Sequence, residues 1–393
     1  MEVLSLPTPE FATSSGPLVS FSTNNYLGIA ACARIKAAAK DAIDRYGVGN
    51  CESRLLSGNL SIYSDLEDRL AISKGLPKAL LFATGYLANL GALSTLPRAT
   101  LYARALGYDP SSVASYAYFS DQFNHVSIKE GIRASGASRF SYRHLDLDHL
   151  ERSLRKSTAT NKIIVTDGVF SQDGDIAPIP ELLSLADRYD AFLYVDDAHG
   201  TGVLGRSGQG VLEHFGIVSD RIIYMGTLSK AYGAIGGFVA ASPHIIEVLR
   251  LVSPAHGFTS AMPPDQIAAV ETAMDIVADE PERRVRLWAN QRYLLSKLDE
   301  LCCAVVSRST PIVPLLVRDE MAAVRLSSIL RKMGIHVDAI KFPAVPLGSA
   351  RIRIQLNACH TKMQIDNLIA ALEQNKCLLR DGGKRLLHAE IGV

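Results

Sequence analysis

From residue 79 onward the chain alternates short apolar runs with longer amphipathic ones. Ala79-Leu80-Leu81-Phe82, Ser115 to Phe119, Lys162 to Thr166, Phe192 to Val195 and Arg221 to Met225 are strand-length runs, nearly all apolar and bounded by glycine, asparagine or aspartate. Such runs read as strands covered on both faces. Helical spacing starts at Leu87, follows Asn124-His125, covers Ile179–Arg188 and returns around Val211. Strands alternating with helices predict an α/β protein with a mostly parallel sheet and helices on both faces. Upstream, Val19-Ser20-Phe21-Ser22 is a short strand. Helices are predicted over Ala30–Tyr46, closed by Gly47-Val48-Gly49, and over Ser64–Lys74.

The rhythm breaks twice. Residues 95–114 carry Pro97, Gly107 and Pro110 and read as an excursion on the surface. After Pro263-Pro264 the pattern becomes a long helical stretch over 265–301. Strands at Val313–Val317, His336–Ala339 and Arg351–Leu356 follow, with helices at Ala322–Met333 and Met363–Gln374. This is a separate, smaller α+β lobe. The expected division is an N-terminal arm over 1–40, a major domain over 41–275 and a small domain over 276–393. A length of 393 residues agrees with two lobes.

Composition narrows the function classes. A net charge of +1 provides no basic field for nucleic acid. No apolar run approaches a membrane span. The six cysteines form no C-x-x-C, which suits a reducing compartment and gives no zinc pattern. Met1-Glu2-Val3-Leu4 lacks the basic start of a secretory signal, so the cytoplasm is expected.

The candidate chemistry clusters at strand ends. Lys230 lies in Tyr224-Met-Gly-Thr-Leu-Ser-Lys-Ala-Tyr-Gly-Ala-Ile-Gly-Gly-Phe238, directly after an apolar run and among small residues. A lysine in such a place is either a surface cation at a strand end or an amine nucleophile able to form a Schiff base. The run ending at Val195 leads into Asp196-Asp197-Ala198-His199-Gly200. In open α/β sheets ligands sit outside the carboxyl ends of strands. One acid is expected to point inward and face a cation, such as a protonated pyridine nitrogen, and the other to be a solvated cap. A metal site is the competing reading, but no third ligand cluster accompanies it, and none is expected. Ser171, in Asp167-Gly-Val-Phe-Ser-Gln-Asp-Gly-Asp175, is a donor or a turn serine. His125 is a structural histidine or a ligand contact. Thr84-Gly85-Tyr86 is a strand-to-helix turn whose backbone amides can hold a phosphate, with Thr227 a second donor. P-loop, dinucleotide, zinc-protease and G-x-S-x-G patterns are absent.

Taken in order, Ser120-Asp-x-x-Asn-His125, Gly168-Val-Phe-Ser-x-Asp-Gly-Asp175, Val195-Asp-Asp-Ala-His-Gly200 and Gly226-Thr-Leu-Ser-Lys230 resemble the α-oxoamine synthases. These are pyridoxal 5'-phosphate enzymes of fold type I, like aspartate aminotransferase. The likeness runs from Asn24 to about His360. It implies that Lys230 attaches the cofactor and moves the substrate α-proton, that Asp196 pairs with the ring nitrogen and that His125 stacks on the ring. His199 and Ser171 would surround its phenolic oxygen. Gly85, Tyr86 and Thr227 would hold the phosphate, with Ser260 contributing across a homodimer interface. Asn24 and Arg353 would grip an amino-acid carboxylate. Ala198-His-Gly-Thr-Gly202 is nearest the branch that condenses L-alanine with a pimeloyl thioester, on coenzyme A or a carrier protein, in biotin ring assembly. In that branch Lys341 stands where arginine is usual. The alternatives are another α-oxoamine synthase acting on glycine or serine with a different acyl chain, and a non-catalytic partner subunit, which would lack the lysine.

Overall fold

The structure is a computed structural model and describes residues 1–6, 8–99 and 114–380. Its chain falls into two compact units, one of Cys32–Phe170 and Ala177–Asp279, the other of Met1–Ala31, Ser171–Ile176 and the stretch from Glu280 onward.

Two short strands open the chain, β1 (Glu10–Thr13) and β2 (Gly16–Ser20), paired antiparallel. The first compact unit is then built on a seven-stranded sheet. Its strands are β3 (Lys78–Phe82), β4 (Tyr116–Asp121), β5 (Ser138–Tyr142), β6 (Asn161–Asp167), β7 (Ala191–Asp196), β8 (Ile222–Thr227) and β9 (Gly237–Ala241). Their spatial order is β3-β9-β8-β7-β6-β4-β5. The pairs from β5 through β8 are parallel, whereas β9 runs antiparallel to both β3 and β8. The expected mostly parallel sheet is therefore mixed at one edge.

Two strands of this sheet are additions to the predicted set. β5, Ser-Arg-Phe-Ser-Tyr, is an edge strand with four exposed residues and no apolar run to announce it. β9 starts inside the glycine-rich stretch after Lys230. The helical run expected over 265–301 is two helices, Pro264–Asp279 and Glu282–Glu300, because Pro281 at the junction lacks the N–H that would continue the ladder. Of the expected excursion, 95–99 finish a helix and form a 3-10 turn, while most of it lies outside the described residues.

Parallel pairing fixes which ends share an edge. Asp167 at the end of β6 is in register with Asp196 at the end of β7, and Asp196 with Met225 two residues before the end of β8. Beneath this edge one face of the sheet forms a core from Leu80, Tyr118, Val165, Tyr194, Ile223 and Val239, covered by the helices Gly85–Thr95 and Val126–Ser135.

In the second unit β1 and β2 form a sheet with β11 (Ile335–His336), which follows β10 (Ile312–Arg318) in the chain. β12 (Asp338–Ile340) and β13 (Ala350–Gln355) complete a second sheet of order β10-β13-β12.

Candidate active site

The acids after β7 separate by the strand's own alternation, in which neighbouring side chains point to opposite faces. Asp196, 5% exposed, turns to the face beneath the helix Gly85–Thr95. Its Oδ2 accepts from Asn89 Nδ2 at 2.7 Å and its Oδ1 from the Ala198 amide at 3.0 Å. Asp197 is 0% exposed, which overturns the reading of it as a solvated cap. Its Oδ2 accepts from the Val211 amide and the Tyr224 hydroxyl, each at 2.7 Å, while its buried Oδ1 makes no hydrogen bond among the described residues. A Cβ on Gly200 or Gly210 would run into this carboxylate, so the loop closes around it only because those positions are glycine. Burial pushes the Asp197 pKa up to about 6; the bonds from Val211 and Tyr224 and the Lys74 charge oppose the shift, and Asp196 adds to it. Buried Lys74 donates to the Gln209 carbonyl at 2.5 Å. Desolvation lowers its pKa to about 8 against the pull of Asp197 and Glu213.

At the β3 end Thr84 caps the next helix, its hydroxyl accepting from the Leu87 amide at 3.1 Å. That leaves the amides of Gly85 and Tyr86 in the first turn, where helices present unpaired N–H groups. A Cβ on Gly85 would lie 2.9 Å from Thr227 Oγ1, and one on Gly237 would lie 2.6 Å from Gly85 Cα. Backbone, helix start and the Thr227 hydroxyl therefore meet in a cradle that only glycine permits. Thr227 is buried, bonded to the Gly236 carbonyl at 3.1 Å and to Ser229 Oγ at 2.9 Å. Lys230 follows β8 in a tight turn closed by the Gly233 amide on its carbonyl at 3.0 Å, and is partly exposed.

His125 caps the helix Val126–Ser135. Its Nδ1 lies 2.7 Å from Ser127 Oγ and accepts from the Ser127 amide at 3.3 Å. His125 is exposed, but enough protein surrounds the ring that desolvation lowers its pKa. Asp196 opposes that shift, and Lys230 and Lys129 reinforce it. Its own amide donates to Asp167 Oδ1 at 3.3 Å. Burial raises the Asp167 pKa well above the carboxylate range, the Asp196 charge adding to it while the His125 amide and Lys230 oppose. His199 is buried in the same loop as Asp197. Ser260 is exposed and lines a small cavity with Arg54, Tyr63 and His256.

The second unit assembles its own group. Arg353 on β13 donates from Nη1 to the Ser171 carbonyl at 3.3 Å and from Nη2 to Gln355 Oε1 at 2.7 Å, and its buried Nε makes no hydrogen bond among the described residues. Gln355 in turn donates to Asn24 Oδ1 at 2.6 Å. Asn24, Ser171 and Arg353 are thus brought together. Arg351, two residues along the strand from Arg353, forms a buried ion pair with Asp173 that ties the Ser171–Ile176 segment to β13. Lys341 is exposed in the loop after β12.

Asn89, Asp167 and Gln355 join the candidate residues only through the contacts of the folded chain. Asn89 carries a visible signal, a lone amide in the otherwise apolar and small-residue helix Gly85–Thr95. Among the described residues no cluster of three or more His, Cys, Asp or Glu could hold a metal ion, and no helix is long and apolar enough to cross a membrane.

A helix start built to receive an anion, a carboxylate held by two donors and a lysine three residues beyond Thr227 form the donor set that a phosphorylated pyridine aldehyde requires. The residues present fit pyridoxal phosphate. This is a fold type I, pyridoxal-phosphate-dependent enzyme: the chain belongs to the aminotransferase class I and II family, matched over residues 17–372. Within that class it stands with the α-oxoamine synthases. It is 38% identical over 371 residues to 8-amino-7-oxononanoate synthase 1 of Bacillus subtilis (strain 168), covering 94% of this chain and 91% of that one. It is 43% identical over 366 residues to 8-amino-7-oxononanoate synthase of Ralstonia pickettii (strain 12J), covering 91% and 86%. Among solved structures, a variant of serine palmitoyltransferase from S. paucimobilis with pyridoxal phosphate and myriocin bound superposes with a TM-score of 0.87 at 28% identity, covering 96% and 93%.

Proposed function

We propose that the protein is an 8-amino-7-oxononanoate synthase, a cytoplasmic homodimer that joins L-alanine to a pimeloyl thioester. The α-carbon of alanine forms a bond to the thioester carbonyl carbon, the thiol leaves, and the alanine carboxylate departs as carbon dioxide. The observation that carries this reading is the 38% to 43% identity to enzymes of that name over about nine-tenths of the chain.

Pyridoxal phosphate, when bound, supplies an electron sink for negative charge on the amino-acid α-carbon. The chain's own groups take the remaining roles. Gly85, Tyr86 and Thr227 hold the phosphate, with Ser260 reaching the site of the partner subunit. Asp196 keeps the ring nitrogen protonated, and His125 lies against the ring face. His199 and Ser171 donate to the phenolic oxygen. Lys230 Nζ is the attachment point and takes the α-proton of the amino acid, which a lysine can do once it is deprotonated. The open guanidinium edge of Arg353 receives the amino-acid carboxylate, with Asn24 beside it. Lys341 meets the distal carboxylate of the pimeloyl chain.

A matrix of L-alanine, glycine and L-serine against pimeloyl, octanoyl and palmitoyl thioesters, each on coenzyme A and on a carrier protein, tests the reading through the ketone formed. The alanine–pimeloyl pair is expected to turn over fastest. Likeness to serine palmitoyltransferase gives the second reading its basis, and a preference for serine with palmitoyl thioester establishes it in place of the first.

A further inference from the structure

Asn89 bonds to Asp196 and to Ser127, the residue in contact with His125. Asn89 is 1% exposed, one turn into the helix that starts at Gly85. Its Nδ2 lies 2.7 Å from Asp196 Oδ2 and 2.8 Å from Ser127 Oγ, and its Oδ1 lies 2.8 Å from the Tyr194 hydroxyl.

These contacts determine one another's polarity. An amide turned the other way would set its oxygen against the Asp196 carboxylate, acceptor against acceptor. The nitrogen therefore faces Asp196, and its two protons go one to Asp196 and one to Ser127. The Tyr194 hydroxyl supplies the proton for Asn89 Oδ1. Ser127 Oγ, already accepting from Asn89, has its own proton for His125 Nδ1 at 2.7 Å. The Ser127 backbone amide points at the same nitrogen and can only donate, but at 3.3 Å it is the longer and weaker contact, so the hydroxyl is the main determinant of the tautomer. Nδ1 of His125 is an acceptor on both counts, so the ring carries its proton on Nε2.

We propose that Asn89 is a positioning residue that orients the Asp196 carboxylate and, through Ser127, holds His125 in its Nε2–H tautomer. One amide then sets both the acid assigned to the ring nitrogen and the imidazole assigned to the ring face. The proposal rests on the roles given above to Asp196 and His125. Burial, which lowers the His125 pKa, favours the neutral ring that the relay requires.

The test uses histidine labelled with nitrogen-15 in the full-length protein, with and without pyridoxal phosphate, in wild type, Asn89→Leu, Ser127→Ala and Asp196→Asn. In the wild type His125 is expected to show a protonated Nε2 and an unprotonated Nδ1. In Asn89→Leu those resonances should move to a mixture of tautomers. Its kcat should fall by at least about tenfold while KM for the amino acid stays within about threefold, the split expected of a group that orients without binding substrate. Ser127→Ala should move the His125 resonances with a smaller loss of kcat. A folded Asn89→Leu protein with the wild-type tautomer and kcat within about twofold overturns the proposal. If Asn89→Leu does not fold, Ser127→Ala decides, and an unmoved His125 tautomer there overturns it equally. Asp196→Asn separates the two layers of argument: if it leaves kcat unchanged the site assignment fails, whereas a damaging Asp196→Asn beside an inert Asn89→Leu removes only the role of Asn89.

Discussion

Asp196 and Asp197 are adjacent in the chain and face opposite sides of the sheet, one bonded to Asn89 and the other to Tyr224, each through Oδ2 at 2.7 Å. Substitutions should therefore give opposite phenotypes at the two positions. Asp196→Asn keeps the shape but removes the charge, and turnover should fall by roughly a hundredfold or more if even ~3 kcal/mol of a buried charge interaction is lost from the transition state. Thermal stability should hardly move. Asp197→Ala should instead lower stability by about 1–3 kcal/mol, since it strips the acceptor from a buried amide and a buried hydroxyl. Urea unfolding and steady-state kinetics on both variants check the contrast, and equal catalytic losses contradict it.

In the proposed reaction Lys230 supplies one amine for two tasks, attachment and proton transfer. Lys230→Ala should lose the visible absorbance of the covalently attached cofactor together with nearly all turnover. A variant retaining a substantial fraction of wild-type kcat would mean that another residue carries the attachment.

Gly85 touches Thr227 where any side chain would intrude, with a Cβ 2.9 Å from Oγ1 and 3.1 Å from Met225 Cε. Gly85→Ala should weaken cofactor binding by about tenfold or more, ~1.4 kcal/mol, because the added methyl fills the cradle and displaces the hydroxyl. Titration of the cofactor-free protein by fluorescence measures it. An unchanged affinity would move the phosphate away from this turn.

Much of this site is legible in the sequence because its acids and its lysine terminate apolar strands, and strand ends are where parallel sheets bind ligands. That position makes Lys230 and the pair Asp196-Asp197 candidates, and the family resemblance chooses among them. What stayed hidden depends on partners far away in the chain. Asp197 looks solvated until Val211 and Tyr224 are brought over it. β9 reads as loop because Gly236-Gly237 looks like turn chemistry, yet Gly237 is glycine so that the Gly85 backbone can press against it. β5 carries no apolar alternation because it is an exposed edge. Gln355, which joins Arg353 to Asn24, occupies an ordinary strand position whose meaning comes only from residues 331 positions upstream.

Lys341 tests the acyl end of the reaction. A pimeloyl chain ends in a carboxylate and an octanoyl chain of similar length does not. A lysine attracts that group as a point charge, without the fixed fork of an arginine. Lys341 is exposed, so the pairing is screened and modest, and Lys341→Ala should narrow the pimeloyl-over-octanoyl ratio in kcat/KM by about threefold to tenfold. Lys341→Arg should hold or widen it. If alanine leaves the ratio where it was, the carboxylate is read elsewhere.

His360 links acid sensitivity to one buried ring. It is stacked on Phe21 with centroids 4.3 Å apart, its Nδ1 accepts from the Asn357 amide at 3.0 Å, and its Nε2 donates to the Ser20 carbonyl at 2.9 Å. Both nitrogens are used by the neutral form, since a protonated Nδ1 has no acceptor in that geometry. Burial lowers its pKa to about 4, the bond to Ser20 opposing the shift. A depressed folded pKa means that the unfolded chain takes up the proton first. The stabilising contribution of the neutral ring is complete above the ordinary histidine value near 6.5 and is lost as pH falls from there toward 4. A shift of that size corresponds to about 3 kcal/mol. His256, likewise buried and lowered to about 4, adds a second contribution over the same window. Stability measured by urea unfolding should therefore decline between pH 6.5 and 4. In His360→Gln the decline should be shallower, while the variant is less stable than wild type at pH 7. Parallel curves for the two proteins over that window would show that His360 does not titrate on unfolding.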